Sequence, residues 1–146
     1  MKKEVERFLG PEDEQEIIQA IRAAEEDTSG EIRVHLEYGL GKDPMERAWE
    51  LFHELKMDNT RNSNGVLLYV AVHDHKFAIC GDRGICEVAP EGFWDRTRDI
   101  MQAHFRDGRF REGIIAGVRS AGRELKAHFP WNPGDANELT NEISRS

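Results

Sequence analysis

The chain has 146 residues, 38% of them apolar and 33% charged, with a formal net charge of −8. That length suits one domain with a core that needs no disulfides or metal staples. The acidic balance argues against a general nucleic-acid or anionic-membrane binder and favours attraction of cations.

The first residues, MKKEVERFLG, are too acidic and too short in apolar length for a signal peptide. No apolar run approaches the roughly 20 residues of a membrane span, so the expected location is cytoplasmic, with no transmembrane segment. Acids crowd residues 1–30, nine against four bases. Glu12 to Asp27 reads as a helix opened by Pro11, with Ile17, Ile18, Ile21, Ala24 and Glu25 as its stripe. Thr28-Ser29-Gly30 ends it. Glu31 to Glu37 then alternates strictly, with Ile32, Val34 and Leu36 on one face and Glu31, Arg33, His35 and Glu37 on the other. That is a strand with one face on a core. His35, on the polar face, is expected to meet a helix.

Pro44 opens a second helix to about Met57, and Asp58 to Asn64 is a polar loop. The run Val66 to Val72 is the most apolar in the chain and predicts a central strand covered on both faces. His73 to Lys76 turns it into Phe77-Ala78-Ile79-Cys80, an antiparallel hairpin partner. Two helices follow, from about Pro90 to Arg106 and from Phe110 to Phe129. Gly113, Gly117 and Gly122 inside the last one point to close packing, since each costs up to about 1 kcal/mol against alanine. Pro130 to Gly134 breaks it, and Asp135 with Glu138 has the spacing of a capping pair. The fold class predicted is a three-layer α/β/α sandwich around a small mixed sheet, a single domain over 1–146 with 130–146 as a tail packed on it.

Several blocks in order carry a family resemblance. They are Ala24-Glu25-Glu26-Asp27-Thr28-Ser29-Gly30-Glu31-Ile32-Arg33-Val34, Asn64-Gly65-Val66-Leu67-Leu68-Tyr69-Val70, Gly81-Asp82-Arg83-Gly84-Ile85 and Phe93-Trp94. Phe105-Arg106-Asp107-Gly108-Arg109-Phe110 and Asn137-Glu138-Leu139 complete the set. Together they resemble the TPM domain family from about Phe8 to Leu139. The resemblance implies an α/β/α sandwich. It also implies kinship with plant members of the thylakoid lumen, which act in photosystem II maintenance and are proposed acid phosphatases, and with membrane-anchored bacterial members.

The residues themselves point to one edge of the sheet. If the third strand runs antiparallel to the second, Glu31, Asn64-Gly65 and Asp82 come together, with Asp58 in the neighbouring loop. Carboxylates, an amide oxygen and loop carbonyls suit a divalent cation, Ca²⁺ or Mg²⁺. The expected metal ligands are Glu31, Asn64, Asp82 and Asp58, and the expected partner is that cation rather than nucleic acid. Each residue also has a structural reading: Asp82 capping a turn, Glu31 pairing with Arg83, Asn64 supplying an unusual backbone angle. Asp135 and Glu138 are further candidates for the edge. His73 and His75 read as a surface turn, Trp131 as a clamp over the last helix, and Arg106, Arg109 and Arg111 as a corner that would suit phosphate unless Asp107 and Glu112 neutralise it. No nucleophile elbow, phosphate-loop lysine or Cys-His signature is present, and Cys80 and Cys86 make neither a disulfide framework nor a zinc quartet. Catalysis, if any, is therefore metal-dependent phosphoester chemistry through Asp82. A protein-interaction module is the remaining alternative.

Overall fold

The alternating stretch Glu31–Glu37 forms β1 and the apolar run Gly65–Ala71 forms β2 in a computed structural model that describes residues 2–39, 41–60, 62–131 and 141–146. The two strands pair in parallel over their whole length, from Glu31 opposite Gly65 to Glu37 opposite Ala71. All seven residues of β2 are buried, as a strand covered on both faces must be. β3 (Lys76–Gly81) returns antiparallel through a tight turn in which His75 takes a φ of 54°. A two-residue strand, β4 (Ser144–Arg145), lies parallel to β1 beside His35 and Leu36, so the order is β3-β2-β1-β4.

Among the described residues six helices surround the sheet: α1 (Lys2–Phe8), α2 (Pro11–Glu26), α3 (Pro44–Glu54), α4 (Arg83–Val88), α5 (Asp95–Arg106) and α6 (Phe110–His128). The even positions of β1 and β2, Ile32, Val34, Leu36, Val66, Leu68 and Val70, share a core with Ile17 and Ile21 of α2 and Ile114 and Val118 of α6. On the opposite face Leu67, Tyr69, Ala78 and Cys80 meet Leu51 and Phe52 of α3. Two helical layers thus enclose one mixed sheet, the α/β/α arrangement expected. Among the described residues no helix is long and apolar enough to cross a membrane.

The differences from expectation are local. The second helix stops at Glu54 because the chain turns back, with Lys56 at a φ of 56° and the Met57 amide donating to the Phe52 carbonyl at 2.9 Å. Met57 still reaches the core. The next long helix starts at Asp95, after Gly92 at a φ of 77°. Two short helices, α1 and α4, and the strand β4 are additions. His35 meets that strand: its ring nitrogens lie 2.9 Å from Ser144 Oγ and 2.7 Å from Ser146 Oγ. Trp131 is 48% exposed, and the chain is held there by a bridge between Thr28 and Pro130. The capping pair Asp135 and Glu138 lies outside the described residues.

The glycines of α6 do mark close packing. A Cβ on Gly117 would stand 2.6 Å from Met101 Sδ, and one on Gly113 would stand 2.5 Å from Phe105 Cε1, both on α5. Met101 is fully buried. Gly117→Ala is therefore expected to cost roughly 1–3 kcal/mol through overpacking, where an exposed helical site would gain from alanine. Leu68→Ala, at a fully buried site, should cost roughly 2–5 kcal/mol. Urea melts of the two variants check both; stabilisation by alanine at Gly117 would put the buried side of α6 elsewhere.

Candidate functional site

Strand direction decides which loops meet. With β1 and β2 parallel and β3 antiparallel, the starts of β1 and β2 and the end of β3 share one edge. Glu31 stands opposite Gly65, the Gly65 carbonyl accepts from the Asp82 amide at 2.9 Å, and the Asn64 carbonyl accepts from the Glu31 amide at 3.3 Å. Glu31, Asn64 and Asp82 are thereby gathered, and they are only 3%, 1% and 8% exposed. The residue between the two acids is glycine, which puts no side chain into the row.

Asp82 does two things. Its Oδ1 accepts from the Arg83 amide at 2.7 Å and so caps α4, the structural role open to it from sequence. Its Oδ2 is buried and accepts no hydrogen bond among the described residues. A buried, unsatisfied carboxylate oxygen is costly and calls for a partner. The start of α4 is pressed hard against the preceding loop: the Gly84 amide donates to the Ser63 carbonyl at 2.8 Å, and a Cβ on Gly84 would stand 2.3 Å from the Asn62 carbonyl oxygen. Only glycine permits that approach. Asn64 is held by its amide to Thr60 Oγ1 at 3.2 Å and by Nδ2 to Ser29 Oγ at 3.3 Å. The unusual backbone angle expected at Asn64 falls one residue earlier, at Ser63, with a φ of 49°.

A third acid belongs to this edge and was not picked out for it from the sequence. Glu25, near the end of α2, accepts from the Ile32 amide at 2.9 Å. Burial pushes its carboxyl up to about 8; the Ile32 amide pulls the other way, and the Glu31 charge adds to the rise. The available signal was an acid on the apolar stripe of α2.

Other candidates are elsewhere or already occupied. Asp58 is exposed and faces His53, Nδ1 to Oδ2 3.3 Å, outside the buried row. Arg111 of the arginine corner is surrounded by Asp13, Glu16 and Glu112 at 2.9–3.5 Å, which leaves little for phosphate. Burial pushes the Cys80 thiol up to about 12, so it is inert at neutral pH. Among the described residues no group of three or more His, Cys, Asp or Glu side chains converges to hold a metal ion. What the edge offers is a pair of buried carboxylates flanking Gly65, with backbone carbonyls close by.

A family model for the TPM domain matches residues 4–124. The fold is similar to the NMR structure of the BA42 protein from the psychrophilic bacterium Bizionia argentinensis, with 50% identity, a TM-score of 0.92 and full coverage of both chains. It is also similar to the N-terminal domain of a protein from P. gingivalis, at 24% identity and a TM-score of 0.69 over 84% of this chain and 80% of that one. The N-terminal domain of the cg2496 protein from Corynebacterium glutamicum matches at 14% identity and a TM-score of 0.64, over 80% and 74% of the two chains. The last two likenesses concern the fold alone. No curated protein matches the chain.

The raised carboxyl of Glu25 has a consequence for stability. Between its usual value near 4.5 and about 8 the folded chain holds a proton there that the unfolded chain has lost. The stabilising contribution is thus full below the unfolded value and is lost as pH rises through about 8. Glu25→Gln keeps an acceptor for the Ile32 amide and removes the titration. Its urea midpoint should match the wild type below about pH 4.5, exceed it increasingly from there to about pH 8 and level off beyond; a constant difference across that range would place no raised carboxyl at Glu25.

Proposed function

The chain belongs to the TPM domain family, and on that premise we propose that it binds a divalent cation of the hard, oxygen-seeking kind, Ca²⁺ or Mg²⁺, at the edge formed by Glu31, Asn64 and Asp82. One observation carries the reading: Asp82 Oδ2 is buried without a hydrogen-bond partner among the described residues, across Gly65 from a second buried acid, Glu31. A cation there would satisfy that oxygen and offset the charge of both acids. The residues fit such an ion as a partial set. Asp82 and Glu31 supply the charge, the Asn64 side chain and the loop 62–63 supply neutral oxygens, and water completes the shell, as is usual for Mg²⁺. Asp58, exposed and turned to His53, is at most an outer contributor.

The net charge of −8 supports the reading by drawing cations to the chain at large. The ion would neutralise the two acids where they flank Gly65 and so tie the end of β3 to the start of β1. Hydrolysis of phosphoesters is a finer claim on the same edge and needs the same carboxylate, since an ion held there would have to polarise the phosphoryl oxygens.

Titration with Ca²⁺ and with Mg²⁺ tests the proposal. Amide resonances of Glu31, Gly65 and Asp82 are expected to shift at millimolar cation or below. At a hundredfold excess over the dissociation constant, stability should rise by about 2.7 kcal/mol. Asp82→Asn keeps the cap to Arg83 through its amide oxygen and should abolish both effects. Silence of these three amides at millimolar cation, or undiminished binding by Asp82→Asn, overturns the reading. Phosphoester turnover that survives in Asp82→Asn does not belong to this edge.

A further inference from the structure

At the opposite end of the sheet lies a cleft that the cation reading leaves unused. The chain leaves β1 towards α3 on one face, while the other neighbour of β1 is β4. In open α/β sheets the crevice beyond the carboxyl ends of the strands, where connections part, is where ligands seat. A cavity of about 570 Å³ opens there, between the end of β1, the turn after β2, the start of α3 and the last residues of the chain. That volume falls in the range of small-molecule sites.

The floor of the cavity is rigid and electrically closed. Glu37 accepts from Arg47 at 2.7–3.0 Å, from Tyr69 Oη at 2.6 Å and from Ser146 Oγ at 2.9 Å. Arg47 is further engaged by Glu50 at 3.7 Å and Glu54 at 3.8 Å. The walls are apolar where they face inward, with Val5 of α1 and the ring of Tyr38, which is braced by stacking on His73 at 4.3 Å.

Around the mouth, the charges are unequally engaged. Three cations line the cavity and each has an acid already: Arg47 as described, Lys42 with Glu50 at 3.2 Å, and Arg145 with Glu14. Three acids also line it: Glu37, already paired, and Glu6 and Asp74, neither of which has an ion-pair partner among the described residues; Asp74 accepts only from the Gly41 amide, at 3.0 Å. Asp74 closes in over Gly39, where a Cβ would stand 2.6 Å from its Oδ2. Glu4, 3.2 Å from His73 on the far side of Tyr38, adds a further negative charge nearby.

We infer that this cavity binds a small organic ammonium ion with an apolar, preferably aromatic, body. The charged nitrogen sits between Glu6 and Asp74, and the body lies against Tyr38 and Val5. An organic anion meets cations that have acids already and two acids that do not. A bare metal ion leaves the apolar walls unfilled. An amine satisfies both, through charge at the mouth and through ring contact and burial inside.

Three probes of one shape separate these cases: phenethylammonium, 2-phenylethanol and 3-phenylpropionate, each titrated into ¹⁵N-labelled protein at constant ionic strength. Phenethylammonium is expected to shift the amides of Tyr38, Gly39, Gly41 and Asp74 along one saturating curve. The alcohol should bind more weakly and the carboxylate most weakly. Asp74→Asn keeps an oxygen for the Gly41 amide, and Glu6→Gln changes an exposed side chain, so both should fold; each should weaken the ammonium probe roughly three- to tenfold. Equal or tighter binding of the carboxylate overturns the inference. So does silence of those amides at the solubility limit of the amine, or binding indifferent to both substitutions. The readout sits at the opposite end of the sheet from Asp82, so this inference and the metal-ion reading fail independently.

Discussion

The parallel pairing of β1 with β2 is the constraint on which the remaining structure depends. Seven residue pairs in one register set Ile32, Val34 and Leu36 against the α2 and α6 layer and leave Glu31, Arg33, His35 and Glu37 on the α3 side. A slip of one residue would drive that polar row into the apolar core, a penalty no local rearrangement offsets. The register in turn fixes two ends. Every group at the start of β1 meets the start of β2 and, through the hairpin, the end of β3. Glu37, at the end of β1, meets Arg47 of α3, Tyr69 and Ser146.

What was legible in the sequence is what period and composition encode. Strict alternation marks β1, an unbroken apolar run marks β2, and glycines spaced along α6 mark its contact with α5. The direction of the hairpin, together with the crossover that makes β1 and β2 parallel, was enough to bring Glu31, Asn64 and Asp82 to one edge. What was not legible depends on partners far away in the chain. α4 has six residues, too few for a periodic signal, and it forms where Gly84 lets the backbone press on residues 62 and 63. β4 has two residues, and it and Ser146 contact a histidine 109 and 111 positions earlier. Glu25 was visible on the apolar stripe of α2, but its purpose was not, because the amide it meets belongs to the next element.

The chain places one chemical group, a shielded carboxylate, in different electrostatic states. Burial pushes Glu37 up, yet hydrogen bonds from Arg47, Tyr69 and Ser146 outweigh it and hold the carboxyl down at about 2. Glu25 has one backbone amide and a like charge beside it, and rises to about 8. His35, next to the Glu37 network, is driven down to about 4, first by burial. It therefore stays neutral at physiological pH and serves β4 as a hydrogen-bonding group rather than as a charge.

That contrast ranks the two ends. Around Glu37 every donor has been supplied by the chain itself, so the acid is a structural post and any ligand must use what stands around the rim. Around Asp82 the described residues supply one donor for two oxygens and leave the other oxygen buried, with a second acid across Gly65. A fold able to surround one carboxylate with an arginine, a tyrosine and a serine did not do so at the other. Natural chains carry such local deficits where a ligand completes the set, and this is why the edge at Asp82, rather than the better-satisfied acid at Glu37, is the place to look for a bound metal ion.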